Sequence, residues 1–212
     1  MGSQFTALSE MIVEGNIADI VVVTRQALDD GAQAHEILEQ GLLPGMDVVG
    51  QRFKVGDMYI PEVLLSARTM GAAMEILRPL LSEKDASGAG TVVIGTVEGD
   101  IHNIGKNLVA MMFEGAGFAV IDLGVDVKPQ AFVDAAKRHR PQILAMSALL
   151  TTTMPKMAET VNALREAGIR DHLTIMAGGA PVTEDYAEQI GADGYAPNAA
   201  AAVDKAKALM GR

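Results

Sequence analysis

The segment Gly99-Asp100-Ile101-His102-Asn103-Ile104-Gly105-Lys106 holds the residues best suited to chemistry. A histidine two residues after an aspartate, on a loop, can turn one ring nitrogen toward the carboxylate and offer the other outward. That is how a metal-ligating imidazole is held from behind. Gly105, lacking a Cβ, lets backbone or a bulky ligand approach closely. The plainer alternative is a capping aspartate followed by a histidine that fills the loop. The segment lies between an apolar run, Thr91-Val92-Val93-Ile94-Gly95-Thr96, that reads as a strand, and a helical spacing through Leu108, Met111, Met112 and Phe113. His102 is thus expected on a strand-to-helix loop, and in an open α/β sheet such loops gather at the carboxyl ends of the strands, where ligands bind.

The rest of the chain must position this loop. From Phe5 to about Leu81 apolar residues recur at three and four, which predicts helices near 6–13, 17–29, 33–53 and 61–81, the third kinked or broken by Gly41, Pro44 and Gly45. Short loops between them imply an antiparallel four-helix bundle. Met46, Met58, Met70 and Met74 read mostly as adaptable core filling. The stretch Phe53-Lys54-Val55-Gly56-Asp57-Met58-Tyr59-Ile60-Pro61 places large apolar groups around a glycine turn. These either pack between helices or face outward as a lid. Residues 83–90 are small and polar and read as a linker.

After the linker, strand-like runs near 92–95, 119–123, 143–147, 174–177 and 194–196 alternate with helical ones near 105–114, 129–138, 154–167, 183–190 and 198–210. Continuously apolar strands alternating with helices predict a five-stranded parallel sheet covered on both faces, doubly wound and flavodoxin-like, in the order 2-1-3-4-5. The expected division is a helical domain at 1–82 and an α/β domain at 91–212. In that sheet order the ligand crevice falls at the ends of strands one and three, beside His102 and Ser147.

Ser147-Ala148-Leu149-Leu150-Thr151-Thr152-Thr153 follows the third strand, with more hydroxyls than a turn needs; one threonine could cap the next helix, or several could bind a polar ligand. Gly178-Gly179 ends the fourth strand, where an ordinary turn and close passage of a ligand are both open. His35, His139 and His172 lack a carboxylate spaced like Asp100 and read as surface residues. A phosphate loop, a dinucleotide fingerprint and a nucleophile elbow are all missing, which argues against a nucleotide-driven enzyme or a serine hydrolase.

With a net charge of −10 and a pI near 4.8, attraction to nucleic acid or an anionic membrane surface is disfavoured. There is no cysteine, hence no disulfide, thiolate zinc site or cysteine-held cluster. No apolar run is long enough to span a bilayer and no leader pattern opens the chain, so a soluble, cytoplasmic protein is expected.

Asp100-x-His102-x-x-Gly105, followed in order by Ser147-Ala148-Leu149 and Gly178-Gly179, resembles the signature of cobalamin-binding domains. The whole chain, helical part included, is similar to the corrinoid proteins of methyltransferase systems and to the cobalamin-binding module of methionine synthase. The resemblance implies cobalamin or a related corrinoid bound base-off and His-on, with its own lower base displaced and its nucleotide tail buried in the sheet domain. It implies His102 as the lower axial cobalt ligand, Asp100 as its hydrogen-bond partner and Thr153 as the end of the relay, where methionine synthase has serine. It implies Ile101, Asn103, Gly105, Ser147, Leu149, Thr151, Gly178, Gly179 and Ala199 around the cofactor, and Glu39 against the corrin. Phe53, Met58 and Ile60 would cap its upper face, which turns the helical domain into a removable lid.

What this implies is a methyl carrier with no turnover alone: it takes a methyl group on cobalt from a substrate-specific methyltransferase and passes it to an acceptor methyltransferase serving tetrahydrofolate or another one-carbon carrier. A reductive activator is implied as a third partner. Methoxyaromatics, methylamines, methanol and betaines are the candidate donors. A subunit of an adenosylcobalamin-dependent mutase is one alternative, against which the helical domain counts. A B12-sensing regulator is another, but it calls for a DNA-binding helix-turn-helix and a basic surface that the sequence does not show.

Overall fold

A computed structural model of the chain describes residues 2–81 and 89–211, so most of the expected linker lies outside the described residues. These residues divide into two compact units, one ending at 81 and taking in 114–118, the other holding the remainder from 89 onward.

The first unit is helical: α1 (Gly2–Glu14), α2 (Ile17–Asp29), α3 (Ala34–Glu36), a π-helical stretch (Ile37–Leu42), α4 (Leu43–Lys54) and α5 (Ile60–Leu77). The break expected around Gly41, Pro44 and Gly45 takes the form of the π stretch. There the Leu43 amide donates to the Leu38 carbonyl, five residues back. Pro44 has no N–H to continue an ordinary ladder, and the wider turn absorbs it at the start of α4. A Cβ on Gly45 would lie 2.7 Å from the Ser9 carbonyl oxygen and 2.8 Å from Ile12 Cβ, so the close approach of α1 and α4 requires glycine there. Phe5, Leu8, Ile12, Ile20, Ile37, Leu42, Val49 and Val63 are buried, together with Met46 and Met70.

The turn after α4 corrects one expectation. Gly56 takes φ +78. The Asp57 and Met58 amides both donate to the Arg52 carbonyl, at 2.8 and 3.2 Å, while the Tyr59 amide donates to Glu62 at 2.8 Å to start α5. This closure folds Met58 inward, leaving it 4% exposed, and turns out Val55 and Tyr59, at 77% and 70%. Met58 is therefore core, not an outward-facing cap group; Ile60 stays exposed and Phe53 is half-buried.

The second unit is the expected sheet. β1 (Thr91–Thr96), β2 (Ala119–Asp122), β3 (Ile143–Ser147), β4 (Thr174–Gly178) and β5 (Gly194–Tyr195) run parallel in the order β2-β1-β3-β4-β5. The crossover helices are α6 (Ile104–Gly115), α7 (Pro129–His139), α8 (Pro155–Glu166) and α9 (Glu184–Ile190), and α10 (Ala199–Leu209) closes the chain. Val93, Leu144, Met146, Ile175 and Ala177 form one apolar layer with Phe132, Val133, Met157, Val161 and Leu164 of α7 and α8. Their strand neighbours Val92, Ile94, Ile143, Ala145 and Met176 are equally buried and point to the opposite face. Burial on both faces is why these strands read as continuous apolar runs. No described helix is long and apolar enough to cross a membrane.

Two glycine substitutions test the helical packing in opposite directions. Gly71 is exposed in α5 with nothing within 4 Å of an added Cβ, so Gly71→Ala should raise stability by about 0.5–1 kcal/mol through helix propensity. Gly45→Ala meets the Ser9 backbone and should lower it despite the same propensity gain. Urea unfolding followed by circular dichroism measures both.

Candidate functional site

The register of the sheet assembles the site. Thr96 of β1 pairs with Ser147 of β3, and Ser147 pairs with Gly178 of β4, so the three strands end in one row. The ladder runs on into the loops, since the Val97 amide donates to the Ser147 carbonyl at 3.0 Å and the Ala148 amide to the Gly178 carbonyl at 3.1 Å. The loops carrying His102, Leu149 and Gly179 therefore emerge side by side.

Asp100 is the buried centre of this row, with none of its side chain exposed. Its Oδ1 accepts from the His102 amide at 3.0 Å and from His102 Nδ1 at 2.7 Å. Its Oδ2 accepts from the Leu149 amide at 2.7 Å, the Leu150 amide at 3.3 Å and the Thr153 hydroxyl at 3.0 Å. Burial pushes the carboxyl up, but the Leu149 amide, the amide and ring of His102 and the Thr153 hydroxyl outweigh it and lower the pKa from 3.8 to about 2. The group is thus a carboxylate that can only accept, and Nδ1 of His102 must carry a proton toward it. In the neutral ring Nε2 then has a free lone pair, on a side chain that is 48% exposed. The Thr153 hydroxyl is also 2.9 Å from the Leu150 carbonyl, so its single proton serves one oxygen at a time.

The surroundings of the ring are apolar and open. Ile101 and Ile104 are 75% and 78% exposed, and Leu149 and Leu150 each 41%. Isoleucines this exposed, beside an imidazole with a free nitrogen, make a floor for a broad apolar ligand. A Cβ on Gly105 would meet nothing within 4 Å, and one on Gly178 only the Ala196 carbonyl at 3.6 Å, so the protein leaves room at both. Gly179 differs: with φ +129, its Cβ would lie 1.9 Å from the Ala148 carbonyl oxygen, so the fold itself demands glycine there. Asn103, Thr151 and Ser147 keep exposed surface in the same row of loops, whereas Ala199 is buried at the start of α10, which Asn198 caps through the Ala201 amide. Glu39 lies exposed in the π stretch of the helical unit.

Sequence reasoning passed over several neighbours. Lys106, in the first turn of α6, is only 1% exposed along its side chain, with Nζ 2.5 Å from Asp122 Oδ2 and 2.7 Å from Asn107 Oδ1. A cation at a helix N-terminus opposes the macrodipole, a signal in the sequence that something else must hold it. Asp126 faces Gly99 and Asp100, and the exposure of Ile104 and Leu150 could not be foreseen from strings that read as core.

Among the described residues no group of three or more acidic or histidine side chains could hold a bare metal ion. One imidazole on an apolar floor suits a metal that brings its remaining ligands in a large planar frame, and these residues fit a corrinoid in that respect. The comparisons agree: residues 90–204 match the B12 binding domain, and residues 4–78 match a second model with the same description. The chain belongs to the corrinoid proteins of methyltransferase systems, and its cofactor is a corrinoid. Trimethylamine corrinoid protein 1 of Methanosarcina acetivorans is 46% identical over 190 residues, 89% of this chain and 88% of that protein. A cobalamin-binding protein from Desulfitobacterium hafniense DCB-2 superposes with a TM-score of 0.78 at 34% identity, over 97% of both chains. The methanol:cobalamin methyltransferase complex MtaBC from Methanosarcina barkeri matches with a TM-score of 0.89 at 31% identity, over 99% of this chain and 80% of that one.

The depressed pKa of Asp100 fixes an acid limb. A folded value of about 2 against an ordinary 3.8 corresponds to about 2 kcal/mol of stability, present above pH ~4 and lost as pH falls toward ~2. Asp100→Asn turns an amide NH2 toward donors whichever way it is oriented. It should cost about 2–4 kcal/mol at neutral pH and flatten that limb, as read by urea midpoints across pH.

Proposed function

We propose that this chain holds a corrinoid base-off and His-on, with His102 Nε2 as the lower axial ligand, and carries methyl groups between two methyltransferases. The observation that carries this reading is the buried Asp100 carboxylate, which fixes Nδ1–H and leaves Nε2 free. The corrinoid, when bound, supplies a cobalt that accepts and releases a methyl group. Everything else is the work of the chain. Asp100 keeps the ring oriented with Nδ1–H toward the carboxylate, and Thr153 completes the acceptor's shell.

Ile101, Ile104, Leu149 and Leu150 support the ring system. Gly105 and Gly178 leave it space, while Ser147, Thr151 and Asn103 offer hydrogen bonds; Ala199 and Gly179 contribute backbone. We assign residues 91–212 to cofactor binding and 1–82 to shielding it, with Glu39, Phe53 and Ile60 as the groups that reach the corrin. A cytoplasmic setting suits the redox demands of the cofactor. Among superposed structures, the monomethylamine corrinoid protein of Methanosarcina barkeri is 37% identical and the methanol complex 31%. A methylamine methyltransferase is therefore the donor-side partner to try first. An acceptor methyltransferase for a one-carbon carrier and a reductive activator complete the set.

The cofactor-loaded chain should leave methylamines unconverted by itself. With a methylamine methyltransferase it should lose its reduced absorption spectrum stoichiometrically, and an acceptor methyltransferase should restore it. Turnover by the chain alone would overturn the carrier reading, and selective binding of adenosylcobalamin with an organic radical signal on adding substrate and a partner subunit would replace it by a mutase.

A further inference from the structure

The end of β2 and the segment after it grip the histidine loop at one end and the first turn of α6 at the other. At one end the Gly99 amide donates to Asp126 Oδ1 at 2.7 Å, and the Asp126 amide donates to the Asp100 carbonyl at 2.9 Å. At the other end Lys106 reaches Asp122. Between the two grips this segment is itself fixed: the Gly124 amide donates to Asp122 Oδ1 at 2.8 Å, the Thr96 amide to the Gly124 carbonyl at 3.0 Å and the Val127 amide to the Thr96 carbonyl at 2.9 Å. Thr96 also donates its hydroxyl to the His102 carbonyl at 2.8 Å.

Asp126 sits at φ +54, one of two non-glycine residues among those described with positive φ. For most non-glycine residues that conformation costs about 1–2 kcal/mol, and less for aspartate, whose short polar side chain can bond locally. Glycine would adopt it freely. The side chain retained there does what glycine cannot, accepting the Gly99 amide at the point where the chain turns toward Asp100.

We propose that Asp126 is a positioning residue for His102. With the Lys106–Asp122 pair it braces the loop from the side opposite the Leu149–Thr153 loop, and so sets where Nε2 points separately from the ring's own bond to Asp100. The inference rests on His102 being the axial ligand, but the brace itself can be read without cofactor.

Asp126→Gly removes the side chain and also relieves the backbone strain, so the two effects on stability nearly cancel and the melting temperature should stay close to that of the parent. Asp126→Asn tolerates the same φ and keeps an acceptor. In the full-length chain without cofactor, amide hydrogen exchange at Gly99 and His102 should quicken about tenfold in Asp126→Gly and remain parental in Asp126→Asn. After chain made with 15N-histidine is loaded with cob(II)alamin, the fraction showing 15N doublets by EPR should fall, and cofactor affinity should weaken by about tenfold, in Asp126→Gly only. Lys106→Met should act in the same direction. Parental exchange and coordination in Asp126→Gly would overturn the brace. So would equal loss in Asp126→Asn, because charge and not contact would then be responsible. A His102→Ala protein made with 15N-histidine and run in parallel separates the two claims: 15N doublets that persist in it remove the axial-ligand reading, while the exchange result still decides the brace.

Discussion

A single carboxylate with no exposed surface and no described lysine or arginine bonded to it organises the sheet unit. Asp100 is charged because five donors converge on its two oxygens, three of them backbone amides. A buried ion without such partners would neutralise or fail to form. Those donors come from two loops separated by nearly fifty residues of sequence, one after β1 and one after β3. The hydrogen bonds therefore tie together the ends of two adjacent strands while orienting one imidazole. Structure and chemistry here share one interaction, and a change at Asp100 cannot touch only one of them.

The order of the strands follows from that requirement as much as from sheet packing. With β1 and β3 adjacent, Thr96, Ser147 and Gly178 end in register, and the loops that follow are close enough for the Leu149 amide to reach Asp100 at 2.7 Å. Gly179 shows how tight this junction is, since its Cβ would overlap the Ala148 backbone. The opposite face of the loops is left loose: Ile101, Ile104, Gly105 and Gly178 have room around them that the protein does not fill. A rigid base beneath an open apolar platform is what a large, exchangeable, metal-bearing ring system needs.

Much of this was legible in the sequence. The alternation of apolar strands and helices, the strand order and the juxtaposition of His102 with Ser147 follow from period and from the rules of parallel sheets. Asp100 and His102 could be paired because their spacing is local. What escaped were contacts made across the fold. Lys106 reaches Asp122 sixteen residues on, and Asp126 reaches back to Gly99; neither spacing marks a partner. Around Gly56 the residues alone leave Met58 free to pack or to face out and only the resemblance puts it over the corrin; the two amides converging on the Arg52 carbonyl turn it in. The break in the third helix was expected from Pro44, but its form as a π stretch was not, because a proline announces a lost donor without saying how the turn absorbs it.

The account stands or falls on whether the nitrogen below the metal belongs to the protein. Chain produced with 15N-histidine and loaded with unlabelled cob(II)alamin should give an EPR spectrum whose high-field lines are split into doublets by a spin-½ nitrogen. Triplets, from the 14N of the cofactor's own lower base, would contradict the assignment and with it the role given to Asp100.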